Sequence, residues 1–261
     1  MILDKNIKRT KINHLIQGTP KGLVLLSPWL VSEGYPYELQ QRYRTGGWLK
    51  SIGKGAMVKS ADSLVLSGAI AALQTQAKSD IHIGGRSALE ISGAAHYLQM
   101  NPAIREETLF VENKSLLPLW FINNNWDRKI KIYGVSLFKD CEAGLTTYHY
   151  QEIIMKISNE CRAIMECLSL CPNRFSLMES YEIMEGLGTL RPTHVQTLLE
   201  QCKSVKVKRL FLYFAERINH AWFKYINMKT IDLGSGVRCL SGEEGIFVSK
   251  YQLVLPKNLI S

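Results

Sequence analysis

The sequence predicts an α+β protein in which a small basic unit, helical with one hairpin, precedes a larger mixed α/β domain. Three observations carry this. Helical spacing, proline and glycine punctuation and one Gly-Lys-Gly turn crowd into the first 60 residues. Short apolar runs of strand length dominate from about residue 80 to 158, and four helical stretches follow up to residue 218. Charge is divided unevenly, because residues 1–60 hold ten Lys/Arg and three Asp/Glu and so carry +7 of the formal net charge of +9. A chain of 261 residues suits one small and one larger domain, drawn at 1–78 and 79–261.

Residues 5–17 read as a helix with Ile12, Leu15 and Ile16 on one side, ended by Gly18-Thr19-Pro20-Lys21-Gly22. Leu23 to Leu26 form a short apolar run. Ser27 can cap a helix that has Pro28 at its first position, where the missing N–H costs nothing, and that helix stops at Gly34. Pro36 opens a second helix that ends at Gly46-Gly47. On its wheel Leu39 and Tyr43 turn inward with Pro36 beside them, while Tyr37, Gln41, Arg44 and Thr45 turn outward, flanked by Arg42 and Glu38. Strands at 48–52 and 56–59 then surround Gly53-Lys54-Gly55.

Helix, turn, helix and basic hairpin in this order define a winged helix-turn-helix. An Arg fork can grip guanine or phosphate, a Gln amide can pair with adenine, and a Lys at a hairpin tip can meet the backbone of a duplex. The candidate DNA-binding residues are therefore Tyr37, Gln40, Gln41, Arg42, Arg44, Thr45, Lys50, Lys54 and Lys59. The competing reading is a three-helix packing unit with no ligand.

Farther on, Asp62 or Ser63 can cap a helix at 64–76 whose Ala69, Ala71 and Ala72 suit close packing. A strand at 81–83 leads through Gly84-Gly85 into a helix at 86–98. Strands are expected at 108–112, 119–122, 129–133 and 148–157, and helices at 160–170, 176–185, 192–202 and 205–218. The last helix buries Val207, Leu210, Phe211, Phe214, Ala215 and Ile218 and sets Lys206, Arg209 and Tyr213 on another face. Strands at 237–240 and 247–255 close the chain.

Several chemistries find no pattern here. There is no G-x-x-x-x-G-K-[ST] phosphate loop, no G-x-S-x-G elbow, no H-E-x-x-H and no Cys/His zinc spacing, so no catalytic residue, metal site or cofactor is expected. The six cysteines form no C-x-x-C pair and read as free buried thiols of a cytoplasmic protein. No apolar run is long enough to cross a bilayer, and the first eleven residues lack the apolar core of a secretory signal, so no membrane partner is expected. Asp232-Leu233-Gly234-Ser235-Gly236 resembles the Gly-Ser opening of a nucleotidyltransferase site, but no D-x-D pair follows, and the loop reads as a turn. Two segments are candidate anion or partner sites. Arg86 and Ser87 begin a helix behind two glycines, where N–H groups can cradle a phosphate or simply close a tight turn. Lys203, Lys206, Lys208 and Arg209 make a basic stripe that either meets an acidic partner or covers apolar neighbours with its stems.

Longer blocks carry a family likeness. Pro20-Lys21-Gly22-Leu23-Val24-Leu25-Leu26-Ser27-Pro28-Trp29-Leu30, Tyr43-Arg44-Thr45-Gly46-Gly47-Trp48-Leu49 and Ile52-Gly53-Lys54-Gly55-Ala56 resemble the N-terminal domain of AbiEi transcriptional regulators, the antitoxins of bacterial AbiE abortive-infection, type IV toxin–antitoxin systems. His82-Ile83-Gly84-Gly85-Arg86-Ser87-Ala88-Leu89 fits the next block. Leu190-Arg191-Pro192, Ser204-Val205-Lys206-Val207-Lys208-Arg209-Leu210-Phe211-Leu212 and Ile231-Asp232-Leu233-Gly234-Ser235-Gly236 resemble the family's antitoxin domain, and residues 100–158 contribute least.

The resemblance implies a repressor that binds inverted repeats of double-stranded DNA in its own promoter, with two copies on the operator. It implies too an antitoxin that counteracts a nucleotidyltransferase toxin without a stable complex, in phage defence. It transfers no catalytic residues, and the chain is expected not to be an enzyme. The alternatives are a C-terminal domain that modifies the toxin or its nucleic-acid substrate, or one that binds the toxin directly.

Overall fold

The computed structural model describes residues 3–94, 106–241 and 245–259, with side chains described from residue 11. The protein is α+β, as its sequence predicts. The elements of the first part are α1 (Leu3–Gly18), β1 (Leu25–Leu26), α2 (Ser27–Ser32), α3 (Tyr37–Thr45), β2 (Leu49–Gly53), β3 (Ala56–Lys59) and α4 (Leu66–Gln76). They continue with β4 (His82–Ile83), α5 (Gly85–Ile91), β5 (Glu106–Val111), α6 (Leu119–Asn123), β6 (Lys129–Gly134), β7 (Leu145–Tyr150) and β8 (Ile153–Ser158). Four helices follow, α7 (Glu160–Leu170), α8 (Leu177–Glu185), α9 (Pro192–Gln201) and α10 (Val205–Ile218), and then β9 (Arg238–Cys239), β10 (Gly245–Val248) and β11 (Leu253–Pro256). The strands form sheets of order β1-β3-β2, β6-β5-β4-β8-β7 and β10-β11-β9.

The described residues divide into two compact units. The first takes residues 1–82 together with 113–130 and 147–156, and the second takes 83–112, 131–146 and 157–261. The sequence places a boundary at 78. What it does not show is that two later segments return to the first unit.

In the first unit Ile12, Leu15, Leu25, Leu30, Tyr35, Tyr43, Leu49 and Met57 form one buried cluster. The cluster joins α1, α2, α3 and the hairpin, as the wheel of each helix requires. Antiparallel pairing of Leu49 with Lys59 and of Ser51 with Met57 sets the hairpin register, with an irregularity between Ser51 and Gly53. Small residues matter in α4, where a Cβ on Gly68 would lie 2.0 Å from the Gly22 carbonyl oxygen.

In the second unit α7 and α10 lie at the centre of a larger core that includes Ile164, Leu168, Leu210, Phe211 and Phe214. An asparagine caps α7, the Asn159 side chain accepting from the Arg162 N–H, and serines do the same for α8 and α10.

Several expectations are corrected. Ser27 is not a cap: α2 starts at Ser27 itself after Leu26, and no side chain caps it. Asp62 does not cap α4 either, since its carboxylate accepts from the Gly22 N–H at 2.8 Å. The strand expected at 119–122 is a helix, entered from Pro118, and its apolar run packs by helical spacing. The single strand expected at 148–157 is a hairpin, β7 and β8, that turns at Gln151 with φ of 55°. The closing strand expected at 247–255 is likewise divided into β10 and β11 by a 3-10 turn at Ser249–Tyr251. The helix after Gly84 ends at Ile91, and the rest of the stretch expected to 98 lies partly outside the described residues.

Candidate nucleic-acid interface

The turn between α2 and α3 is fixed from within. Gln40 is 1% exposed, and its Nε2 donates to the carbonyls of Ser27 at 3.1 Å and Tyr35 at 2.7 Å. This one amide ties the start of α2 and the turn to the second helix. It is a correction to the candidate list, because a side chain spent on two buried carbonyls cannot reach a base. Tyr43 packs beside Tyr35 with ring centroids 6.5 Å apart, and burial pushes both phenols above their ordinary range.

With Leu39, Gln40 and Tyr43 turned inward, α3 presents Tyr37, Gln41, Arg42, Arg44 and Thr45 to solvent, Tyr37 at 59% exposure. Among the described residues no side chain partners Gln41, Arg42 or Arg44. Thr45 is held by its own helix, its hydroxyl donating to the Gln41 and Arg42 carbonyls at 3.2 and 3.1 Å. Glu38 sits in the first turn and Arg42 and Arg44 in the last, the arrangement that the helix dipole favours. Lys54 stands exposed at the hairpin tip between Gly53 and Gly55, with no described partner.

The remaining two candidates of this unit are engaged. Lys59 is a structural residue. Its Nζ donates to the Thr19 carbonyl at 2.8 Å and lies 3.5 Å from the Asp62 carboxylate, and its side chain is 11% exposed. It closes the base of the hairpin onto the end of α1. Lys50 is exposed, but its Nζ donates to the Asp62 carbonyl at 2.8 Å.

One residue that the sequence reading missed lies on this face. Trp48, 51% exposed, follows the two glycines that end α3, and its indole edge would lie 3.3 Å from a Cβ at Gly46. Period-two alternation was the available signal, since Leu49 is buried and Trp48 therefore points out.

The hairpin also has a brace that no local pattern foretells. Gly53 adopts φ of 149°, and a Cβ there would come within 2.5 Å of the Trp120 Cβ. Asn124 Nδ2 donates to the Ile52 carbonyl at 3.0 Å and to that of Trp120 at 2.6 Å. Thus α6, some seventy residues away in sequence, holds the strand that leads to Lys54.

The two candidate anion sites of the second unit are filled by the protein itself. Behind Arg86 and Ser87, the anion at the start of α5 is the buried Glu166 carboxylate. Its Oε2 accepts from the Gly85 N–H and from the Ser158 hydroxyl, both at 2.8 Å, and its Oε1 from Arg162 Nε at 2.8 Å. Ser87 Oγ accepts from the Thr108 N–H at 2.8 Å. Arg86 lies 2.8 Å from Glu90 and 3.0 Å from Glu179.

The basic stripe resolves in the same way. Lys206 Nζ donates to the Ser169 and Cys171 carbonyls at 2.8 and 2.6 Å, at the end of α7, and burial lowers its pKa. Arg209, 2% exposed, donates to the carbonyls of Leu233, Gly234, Gly236 and Gln252. Burial lowers its pKa too, and the nearby Arg238 adds to the effect. Lys208 is 5% exposed. Lys203 donates to the Ser136 hydroxyl at 2.7 Å beside Glu112. This is a stripe in sequence but not a cationic face, because α10 is buried on nearly all sides.

Among the described residues no group of His, Cys, Asp and Glu could hold a metal ion, and no helix is long and apolar enough to cross a membrane.

A winged helix-turn-helix with the outward face of α3 exposed, joined to an α+β region, is the build of a transcriptional regulator. Family comparison gives the same class and narrows it. Residues 8–100 match the model described as the N-terminal domain of the AbiEi antitoxin transcriptional regulator. Residues 105–256 match the model described as the AbiEi antitoxin transcriptional regulator of a type IV toxin–antitoxin system. The chain belongs to the AbiEi family. No curated protein matches it. A similar solved structure, that of the RV2827C protein from Mycobacterium tuberculosis, shares 13% identity at a TM-score of 0.52, over 93% of this chain and 89% of that one. At that identity the likeness speaks for the fold alone.

Proposed function

We propose that this chain is a sequence-specific repressor of its own operon and the antitoxin to a nucleotidyltransferase toxin, acting in the cytoplasm as part of phage defence. The observation that carries the DNA part is the division among the candidate cations. Lys50, Lys59, Lys203, Lys206 and Arg209 each donate to an oxygen within the protein, whereas Arg42, Arg44 and Lys54 have no described partner and flank one exposed face. On this reading α3 enters a major groove, Gln41 and Arg44 read base edges, and Lys54 and Arg42 meet phosphates. Two copies occupy the inverted repeats of the operator, since a two-fold arrangement of protein matches a palindrome. The antitoxin role and the toxin class rest on family membership, and the chain acts on the toxin without being an enzyme.

A mobility-shift titration against the DNA upstream of the operon tests the reading. Operator should bind far more tightly than a scrambled duplex. With about three phosphates neutralised per copy, log affinity should fall with log salt at a slope near roughly −3 for each copy. Equal affinity for both duplexes would defeat the proposal.

A further inference from the structure

The second unit contains a cleft of about 650 Å³ that the DNA-binding reading does not use. Such a volume is within the ordinary range for small-molecule sites, roughly 300–1,000 Å³. Its floor is apolar, with Leu177, Leu240 and Leu259 all buried. Its walls hold three cations, Arg86, Lys131 and Arg174, against two carboxylates, Glu106 and Glu179.

Two of those cations are matched. Lys131 Nζ lies 2.7 Å from Glu106, and Arg86 lies 3.0 Å from Glu179. The surplus charge belongs to Arg174, which is exposed at the mouth. Its guanidinium sits 5.9 Å from the centroid of the Tyr133 ring and has no described acidic partner. The start of α8 opens into the same space: Ser176, Leu177 and Met178 line the cleft. Ser176 Oγ takes the N–H of Glu179, and the N–H groups of Leu177 and Met178 in the same first turn have no acceptor within the helix.

We propose that this cleft binds a nucleotide-sized phosphate ester. Its phosphate would lie between the Arg174 fork and the first N–H groups of α8, where guanidinium and helix dipole both favour a multiply charged oxyanion. Its planar body would lie over the apolar floor beside the Tyr133 ring, which is already packed 5.6 Å from Phe110. The Glu179 carboxylate, 3.0 Å from Arg86, would give way to the anion as its partner. Arg86 bridges α5 and α8 through Glu90 and Glu179, so a ligand here bears on the packing of two helices.

Calorimetric titration of the full chain with ADP as probe tests this, with pyrophosphate and adenosine as comparisons. ADP is expected to bind more tightly than either. Arg174→Glu should weaken ADP binding roughly 10- to 100-fold, the loss expected for charge-assisted hydrogen bonds. Tyr133→Ala should weaken ADP by roughly 2- to 10-fold and leave pyrophosphate unchanged. Arg174 is exposed, so its substitution leaves the core intact, and an unchanged circular dichroism spectrum and melting profile verify that. No heat with ADP up to about 1 mM, or ADP binding indifferent to Arg174→Glu, overturns the proposal. Adenosine binding as tightly as ADP overturns it as well, because the phosphate would then have no part in recognition.

Discussion

Glu166 and Gly85, 81 positions apart, are joined by a 2.8 Å hydrogen bond from the Gly85 N–H to the Glu166 carboxylate. The loop beginning at Gly84 is shaped for an anion, and the chain supplies that anion itself. A Cβ at Gly84 would lie 2.2 Å from Glu166 Oε2, so the glycine exists to let the carboxylate close. The same carboxylate neutralises Arg162, whose Nη1 donates to the Cys141 and Ala143 carbonyls at 2.7 Å each.

Glu166→Ala should therefore destabilise the protein by about 3–5 kcal/mol, the cost of leaving a buried charge without its partner. Urea unfolding followed by circular dichroism measures this. Replacing an exposed acid such as Glu152 serves as control and should shift the midpoint hardly at all. A Glu166→Ala protein of unchanged stability would mean that water reaches Arg162 freely.

Neighbouring glutamines on α3 should behave in opposite ways. Gln40→Ala deletes two hydrogen bonds to buried carbonyls and should cost about 1–3 kcal/mol in unfolding. Gln41→Ala should leave stability within about 0.5 kcal/mol while reducing the preference for operator over random DNA. Paired unfolding and mobility-shift measurements on both variants decide the matter. If Gln41→Ala preserved operator preference, the outward edge of α3 would not be the reading surface.

Three basic or amide residues around the hairpin separate contact from support. Lys54→Ala should weaken operator and random DNA alike and lower the salt slope by about one. Lys59→Ala should instead show as lost stability, since the buried Asp62 carboxylate loses its cation. Asn124→Ala should loosen the wing, raising amide exchange on the strand it braces with little change in global unfolding. Hydrogen exchange by mass spectrometry over residues 49–59 reads the last effect.

Thiol chemistry should follow burial. Burial pushes Cys171 and Cys202 each up to about 11, from an ordinary value of 9.0. Cys161 and Cys167 rise as well, while Cys239 is exposed. Iodoacetamide at pH 8 should modify Cys239 first and reach the buried four only on unfolding. The linkage has a definite sign. Between pH 9 and about 11 the unfolded chain releases thiol protons that the folded chain keeps. Stability should therefore fall through that window and go on falling above it, where the folded chain still keeps the protons of Cys161 and Cys167. Urea midpoints across alkaline pH provide the measurement, and a shallower fall in the Cys171→Ala, Cys202→Ala double variant over the same range isolates the share of these two thiols.

Local signals were legible and remote ones were not. Periodicity and punctuation gave α3, the hairpin and α7 to α10 nearly to the residue, because each is specified by its own apolar spacing and stops. Gln40 was misplaced because an amide looks polar on a wheel, whereas in the fold it answers two carbonyls that only the α2–α3 turn brings near. Lys206 and Arg209 leave two readings open in the sequence because adjacency there says nothing about distant carbonyls such as those of Ser169 and Gly234. The strand expected at Leu119 failed for a related reason. Its short apolar run fits either period, and packing near the hairpin selects the helix.

The brace formed by Trp120 and Asn124 bears on how portable this winged unit is. A fragment ending at residue 82 would carry α3 and the basic tip but leave Gly53 without the Trp120 side chain it packs against. Grafting the module onto another protein requires bringing residues 113–130 along, and any uninterrupted cassette that does so also takes residues 83–112 of the second unit.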